Sequence, residues 1–410
     1  MKRLSKFFWI PVFAVGLLFG ALLPSARALP EKIYKALDLF SKVLYIVEKD
    51  YVETVDGQNL VYGAIKGMLG TLDPYTVFLT PDVYKELKVD TLGRFGGVGI
   101  EITLQNGVLT IVTPIEDTPA ARAGIRAGDK IVKINGTLTK GMNLADAVRR
   151  MRGGKNSKLT LTLYREGVAK PFDVTLVREE IKIKSVKSEM LDKGVGFARV
   201  ASFQENTYEE LKRALEQLSQ QGMKSLILDL RNNPGGLLEQ AIDMSDLFLK
   251  SGTIVSTRGR KGPIEVRSAK GDAVYPDLPI VVLINKGSAS ASEIVAGALQ
   301  DNKRAKLLGT QSFGKGSVQT VIDLGEDTGV KLTVARYYTP SGKSIDGVGV
   351  TPDFIVEGEV PTPIELQEKK KVDLQRKAAL DYLLTGKAPA SKPESKPSKP
   401  EEAQDLPSDL

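Results

Sequence analysis

Between residues 31 and 53, apolar side chains fall at Ile33, Leu37, Phe40, Leu44 and Val47, a spacing that predicts an amphipathic helix. A second helical stretch carries Val61, Ile65, Met68 and Leu69, and Gly70 and Pro74 close it. From about Gly96 the period shortens toward two. Val98–Leu104 and Val108–Val112 predict strands joined by Asn106-Gly107, a dipeptide suited to a tight hairpin. Ile131–Ile134 runs into a second Asn-Gly pair at 135–136, Asn143 caps a helix bearing Leu144, Val148 and Met151, and alternating strands follow at Leu159–Tyr164 and Phe172–Val177. Residues 94–180 therefore read as a small β-rich module. From Lys193 onward strands and helices alternate. Strand Val195–Val200 precedes Thr207-Tyr208-Glu209-Glu210, which has the pattern of a capping box opening a helix with Leu211, Leu215 and Leu218. Two β-loop-α units follow: Ser225–Leu230, loop Arg231–Gly236, then Leu238, Ala241, Ile242 and Leu249; and Ile280–Ile284, loop Asn285–Ala289, then Ile294, Val295 and Ala298. Such repetition predicts a mostly parallel sheet covered by helices, with ligands at the carboxyl ends of its strands, where both loops fall.

The two ends of the chain read differently. Lys2, Arg3 and Lys6 precede an apolar run from Phe7 to Leu23, and Ala26-Arg27-Ala28 has the small-x-small form of a cleavage site. Residues 1–28 are thus expected to be an export signal or a retained membrane anchor, which places the rest outside the cytoplasm, in the periplasm or an equivalent compartment. A charged helical stretch beyond Pro361 contains Ile364, Leu366, Leu374 and Leu380, and after Gly386 the chain is Lys, Pro, Ser and Glu, expected to be disordered. Four of the seven surplus positive charges lie in the first 28 residues, so no concentrated basic face points to nucleic acid.

Composition narrows the chemistry. The 410 residues contain no cysteine and no histidine, which removes thiol catalysis, disulfides and imidazole as a base or metal ligand. A hydrolase with this alphabet must take its base from Lys, Asp or Glu. Three segments are candidates. In Gly287-Ser288-Ala289-Ser290-Ala291-Ser292-Glu293, Ser290 stands at a strand-to-helix junction whose first-turn N–H groups suit an oxyanion, although Ser290 and Glu293 also have the spacing of a capping box. In Arg231–Gly236, paired glycines let the backbone approach a ligand. The third, Gly309–Lys315, fits the start of a phosphate-binding P-loop, but Gly316 replaces the magnesium-binding hydroxyl and Ser317–Leu324 alternates like a strand, both against an ATPase. For Lys315 to serve as a base, burial must lower its reference pKa of about 10.4 by a few units. Gln319, four residues on, is placed to orient the amine.

Taken together, Gly287–Glu293, Gln300–Ala305 and Phe313–Gln319 closely resemble the catalytic stretch of C-terminal processing proteases, with Ser290 followed by Lys315 after 25 residues and by Gln319 after 29. Arg231–Gly236 resembles that family's glycine-rich loop, Tyr338-Thr339-Pro340-Ser341-Gly342 another recurrent segment, and Leu72-Asp73-Pro74-Tyr75 an N-terminal motif. The β-rich module resembles a PDZ domain, with Gly96-Gly97-Val98-Gly99-Ile100 as its carboxylate-binding loop and Thr118-Pro119-Ala120 and Ala127-Gly128-Asp129 as later landmarks. The resemblance implies an α/β protease core of crotonase- or ClpP-like β-α units with an inserted PDZ domain (94–180) and an N-terminal helical region (29–93). The core, 181–360, would carry segments 29–93 and 361–386 packed against it, leaving 387–410 as the tail. It implies Ser290 as nucleophile, Lys315 as base with Gln319 beside it, and an oxyanion hole from the N–H of Ala291 and one of the pair Gly235 and Gly236, Gly235 being favoured. Asp301, a candidate acid in such enzymes, reads here as structural. Gly97, Val98, Gly99 and Ile100 would hold the C-terminus of a protein or peptide substrate and gate the site. No metal or cofactor is implied; the N-terminal helices are expected to pair copies of the chain, and residues 7–23 to anchor it if they are retained. The rival from another class is an exported PDZ scaffold with an inactive hydrolase-like domain.

Overall fold

The computed structural model describes residues 30–361 and 371–389, apart from 106, 116, 261 and 263. The export segment 1–28, and all but the first three residues of the tail expected to be disordered, lie outside the described residues. Among those described, no helix is long and apolar enough to cross a membrane. The chain divides into two units, Met1–Leu72 and Asp73–Leu410. The first holds α1 (Glu31–Asp50) and α2 (Gly57–Gly70), the latter capped by Asp56, whose carboxylate accepts the Gln58 N–H at 2.9 Å. No residue of α1 is buried.

The second unit opens with β1 (Val77–Leu79) and α3 (Pro81–Leu92), so residues 73–93 leave the helical region in which the sequence pattern grouped them. The β-rich module follows. It is closed by a ribbon of β2 (Arg94–Gly97), and its sheet is made of β3 (Ile100–Gln105), β4 (Val108–Pro114), β5 (Lys130–Ile134) with the short β6 (Thr137–Leu138), β7 (Lys158–Tyr164) and β8 (Phe172–Val177). Strand β9 (Glu179–Lys182) returns to pair antiparallel with β2. A single turn, α4 (Pro119–Arg122), and α5 (Leu144–Met151) cover the sheet; Asn143 caps α5 through the Asp146 N–H, as its position predicts. The strand expected over Val98–Leu104 breaks at Val98-Gly99. Gly99 lies at φ +75° with its Cα against the Thr118 side chain, so a Cβ has neither the conformation nor the room.

The parallel core begins at β10 (Val186–Met190) and β11 (Val195–Val200), continues through α6 (Thr207–Gln220), β12 (Ser225–Asp229) and α7 (Leu238–Asp246), and reaches β13 (Thr253–Gly259) and β14 (Ile264–Ser268). It is completed by β15 (Ile280–Ile284), α8 (Ala291–Asp301), β16 (Lys306–Gly309), the long hairpin β17 (Ser317–Gly325) and β18 (Thr328–Tyr338), β19 (Phe354–Ile355) and α9 (Leu374–Thr385). The main sheet runs β10-β11-β12-β15-β16-β19, parallel except at the β10 edge. Its inner strands β11, β12 and β15 are buried on both faces. Leu226, Leu228 and Val282 join α6, α7 and α8 in one cluster, while Ile227, Val281 and Leu283 meet α9 in another. A second, antiparallel sheet of β1, β18, β13 and β14, with β17 on β18, stands beside it. The capping box expected at Thr207 does not form. The Glu210 carboxylate instead accepts the Ser185 N–H (2.8 Å) and hydroxyl (2.9 Å), and the Thr207 hydroxyl accepts the Gln204 N–H, tying α6 to the β9–β10 crossing. Leu249 falls beyond the end of α7.

One ion cluster fixes α9 to the start of the glycine loop. Arg231, 1% exposed, makes paired bonds to Asp229 (2.8 and 2.9 Å) and to Asp373 (2.8 and 2.7 Å), and Asp373 also caps α9 through the Arg376 N–H. Removing one partner strands a buried charge. Asp373→Ala is therefore expected to lower the unfolding free energy by about 3 kcal/mol, seen as a lower urea midpoint; an unmoved midpoint would show that the cluster contributes nothing.

Candidate active site

The loops after β12 and β15, neighbours in the parallel sheet, meet at its carboxyl edge as the pattern predicts. Two asparagines lock them together. Asn285 Nδ2 donates to Asn232 Oδ1 (2.8 Å), and Asn285 Oδ1 accepts the Asn232 N–H (2.9 Å). Fully buried Asn233 reaches back to the Val200 carbonyl (2.9 Å) while its own carbonyl accepts the Ser292 hydroxyl (2.9 Å).

Three serines alternate along 288–292, and their surroundings separate them. Ser288 and Ser292 are 0% exposed and donate to the carbonyls of Leu230 (2.7 Å) and Asn233. Ser290 is half-buried and opens onto a cleft of about 510 Å³ that Lys315, Gln319, Lys331 and Tyr337 also line. Its backbone sits at φ 56°, ψ −115°, outside the regions ordinary for a side-chain-bearing residue. Strain of this kind persists only where the surroundings enforce it.

Glu293 supplies that enforcement. It is 0% exposed, and four donors converge on its carboxylate. One oxygen takes the Ser312 hydroxyl (2.5 Å) and the Gly314 N–H (2.7 Å). The other takes the Ser290 N–H (2.8 Å) and the Lys315 N–H (2.9 Å). Ser312 has no freedom to turn away, because its oxygen accepts the Val350 N–H at 2.6 Å. A single carboxylate thus sets the backbone of residue 290 against that of residue 315.

The Lys315 ammonium has no hydrogen-bond or ion-pair acceptor among the described residues; it lies 5.1 Å from the centre of the Tyr75 ring. Burial is the main cause holding it below the ordinary lysine range, the Lys331 charge adds to this, and Glu293 opposes it. Tyr337 is pushed well above the usual phenol range by burial and then by Glu293, so it stays protonated. Its hydroxyl donates to the Lys315 carbonyl and shares a hydrogen bond with Ser290. Gln319 lines the cleft with its Nε2 buried and unpartnered, so the expected bond to the Lys315 amine is not made here.

The glycine pair differs from expectation. Gly235 packs so closely that a Cβ would stand 2.8 Å from the Ser290 Cβ and 3.0 Å from the Ala291 nitrogen, but its N–H is engaged by Asn233 Oδ1 at 2.9 Å. The N–H groups left without an acceptor among the described residues are those of Gly236 and Ala291. Asp301 lies outside the cleft lining, at the end of α8. Burial disfavours its charge, yet bonds from Thr339 and Ser341 outweigh this and hold its carboxyl below the usual range, as befits a turn anchor. Among the described residues no cluster of acids could hold a metal ion.

In the β-rich module, a groove of about 370 Å³ runs between the free edge of β3 and α5, floored by Phe95, Val112, Leu144, Val148 and Met151. Gly97–Ile100 close one end, where the N–H groups of Val98 and Gly99 have no acceptor among the described residues. Arg152 stacks on the Phe95 ring at 4.9 Å, its buried Nε unpaired.

Residues 194–356 match peptidase family S41, 110–165 a PDZ domain, and 24–83 the N-terminal domain of the activating protease CtpB. A carboxy-terminal-processing protease of Bartonella bacilliformis is 48% identical over 336 residues, covering 81% of this chain and 77% of that protein. This chain belongs to the carboxy-terminal-processing protease family. A carboxyl-terminal-processing protease of Synechocystis sp. is 39% identical over 428 residues, covering 97% and 98% of the two chains. Among solved structures, the photosystem II D1 C-terminal processing protease shares 35% identity at a TM-score of 0.47, covering 80% of this chain and 95% of that one. The protein is accordingly a serine peptidase of family S41 with a PDZ domain, acting on proteins or peptides.

For this peptidase the sequence pattern did not single out Glu293, Tyr337, Lys331 or Asn233. Glu293 carried a signal, its spacing from Ser290, but that spacing pointed only to a helix cap. In Glu293→Gln an amide NH₂ would face converging donors. The variant is expected to lose about 2 kcal/mol of stability and at least about tenfold in turnover as residues 290 and 315 lose their mutual placement. Thermal melting and peptide cleavage check this; a variant equal to the parent in both would remove Glu293 from the account.

Proposed function

We propose that this protease is exported and cuts unstructured polypeptides near their C-termini, with Ser290 as nucleophile and Lys315 as general base. The observation that carries the reading is the sorting of the three serines: only Ser290 faces the cleft, and it shares that cleft with an amine whose pKa burial lowers. Lys315 Nζ takes the Ser290 proton as Oγ bonds to the scissile carbonyl carbon. The negative charge that develops on the carbonyl oxygen is met by the N–H groups of Ala291 and of a glycine in the 235–236 pair, Gly236 being the one already free. Collapse breaks the C–N bond, Lys315 returns the proton to the leaving amine, and an acyl-enzyme remains. Lys315 then deprotonates a water that hydrolyses the ester. Gln319, four residues along, is positioned to accept a bond from the amine once substrate enters. Leu237, Leu238, Ile294 and Val318 form the apolar side of the cleft and favour an apolar side chain before the cut.

The PDZ groove supplies the preference for chain ends. Its unengaged N–H groups suit a terminal carboxylate, and a peptide can extend the β3 edge. A covalent path supports gating. Helix α3 contributes Leu87, Asp90 and Thr91 to the cleft wall and passes through Gly93 directly into β2 and the Gly97–Ile100 loop, so a shift of that loop on binding is transmitted to the cleft. Export rests on the charged start, apolar run and small-x-small site of residues 1–28. Pairing of two copies is supported by α1, which leaves Ile33, Leu37, Phe40 and Val43 exposed along one helix.

Ser290→Ala and Lys315→Ala are each expected to lower cleavage of an apolar-ended peptide by about ten-thousand-fold while the melting temperature holds; cleavage at the parent's rate in both would end the assignment. Because Lys315 must be neutral to accept a proton, kcat/KM should climb as pH rises through its lowered pKa and fall away on acidification, and a profile flat across that range would contradict the mechanism. Gly99→Ala should cut kcat/KM about tenfold, near 1.4 kcal/mol, for a peptide with a free carboxylate and leave its amidated twin unaffected. Equal losses for both peptides would divorce the loop from end recognition.

A further inference from the structure

Lys331 stands at the middle of β18, paired with Val77 of β1 on one side and Val321 of β17 on the other. A lysine in an alternating strand ordinarily faces water and meets a carboxylate. Here Lys331 and Tyr337 of the same strand both line the cleft with Ser290 and Lys315. Lys331 is half-buried, with no hydrogen bond or ion pair among the described residues. We propose that Lys331 is a positioning residue of the hydrolytic site: its ammonium, set on the cleft wall without a counter-ion, repels a proton from Lys315 and so maintains the base in its reactive form. This rests on the reading of Lys315 as base.

Among the described residues, the charged and titratable groups around Lys315 leave Lys331 as the one other cation lining the cleft. From α8, Glu293 is saturated by four donors and favours a proton on Lys315. From β18, Tyr337 stays neutral. Asp346 is tied to the Gly316 N–H and to Arg336. Ahead of β1, Tyr75 offers only its ring face, and Asp73 is taken up by Tyr75, Thr76 and Thr333. Asp90 of α3 lies on the exposed rim of the cleft. Burial lowers the pKa of both amines, and the site works when Lys331 keeps its proton while Lys315 gives its own up.

The test is kcat/KM against pH for the parent, Lys331→Met and Lys331→Arg on one apolar-ended peptide. Without the repelling charge, the acid limb of Lys331→Met should move to higher pH, with a loss of about fivefold at neutral pH that closes at alkaline pH. Lys331→Arg, permanently charged, should keep the parent's limb or move it lower. A Met variant with an unmoved limb overturns the proposal, as does a loss equal at every pH that Arg does not restore. Should Lys331→Met fail to fold, Lys331→Gln makes the same prediction. Lys315→Met run in parallel separates the two ideas. If it retains activity while Lys331→Met has none, Lys331 is itself the base, and both the proposal and the reading beneath it fall. If Lys315→Met is dead and the limb of Lys331→Met is unmoved, only the proposal falls.

Discussion

The site depends on one buried carboxylate. Glu293 belongs to the first turn of α8, yet three of its four bonds go to the separate segment that carries Lys315. Its fourth, to the Ser290 N–H, holds the nucleophile's backbone in a conformation it would not adopt alone. A carboxylate removed from water is costly unless every lone pair is used. Here all the surrounding donors are rigid backbone groups or a hydroxyl that is itself pinned. The same anion attracts the Lys315 proton, so the burial that surrounds the amine has to outweigh it.

The PDZ groove and the cleft at Ser290 are lined by separate residues. The PDZ domain is linked to the core by two antiparallel strands, β2 and β9, and the first of them grows out of a helix that walls the cleft. Under the proposed gating, occupancy of the groove would reach the cleft through this helix. The Arg231 cluster fixes the start of the glycine loop against α9.

The absence of imidazole and thiol limited a hydrolytic base to Lys, Asp or Glu, and it was the resemblance of residues 287–319 to C-terminal processing proteases that pointed to Ser290 and Lys315. The parallel sheet was readable for a similar reason: runs such as Ile280–Ile284 have no polar face to turn outward. What escaped depended on partners far away in the chain. The Thr207–Glu210 spacing has the form of a local cap, but Ser185 and Val186 compete successfully for Glu210. Lys331 looks like the solvent side of a strand until the fold turns that side toward the cleft. Gly235 and Gly236 are equivalent in sequence, and only the side chain of Asn233 distinguishes their N–H groups. The antiparallel sheet of β1, β13, β14, β17 and β18 was not anticipated, because its β1–β18 pairings join residues as far apart as Val77 and Lys331.

The central claim is that the Lys315 amine gives up its proton more readily than an exposed lysine does. Carbon-13 NMR of lysine-labelled protein, with the Cε signal of residue 315 assigned by its loss in Lys315→Met, measures this directly. The expected result is a signal that titrates below those of the exposed lysines. A signal that titrates with the exposed lysines, near the reference value of about 10.4, would contradict it.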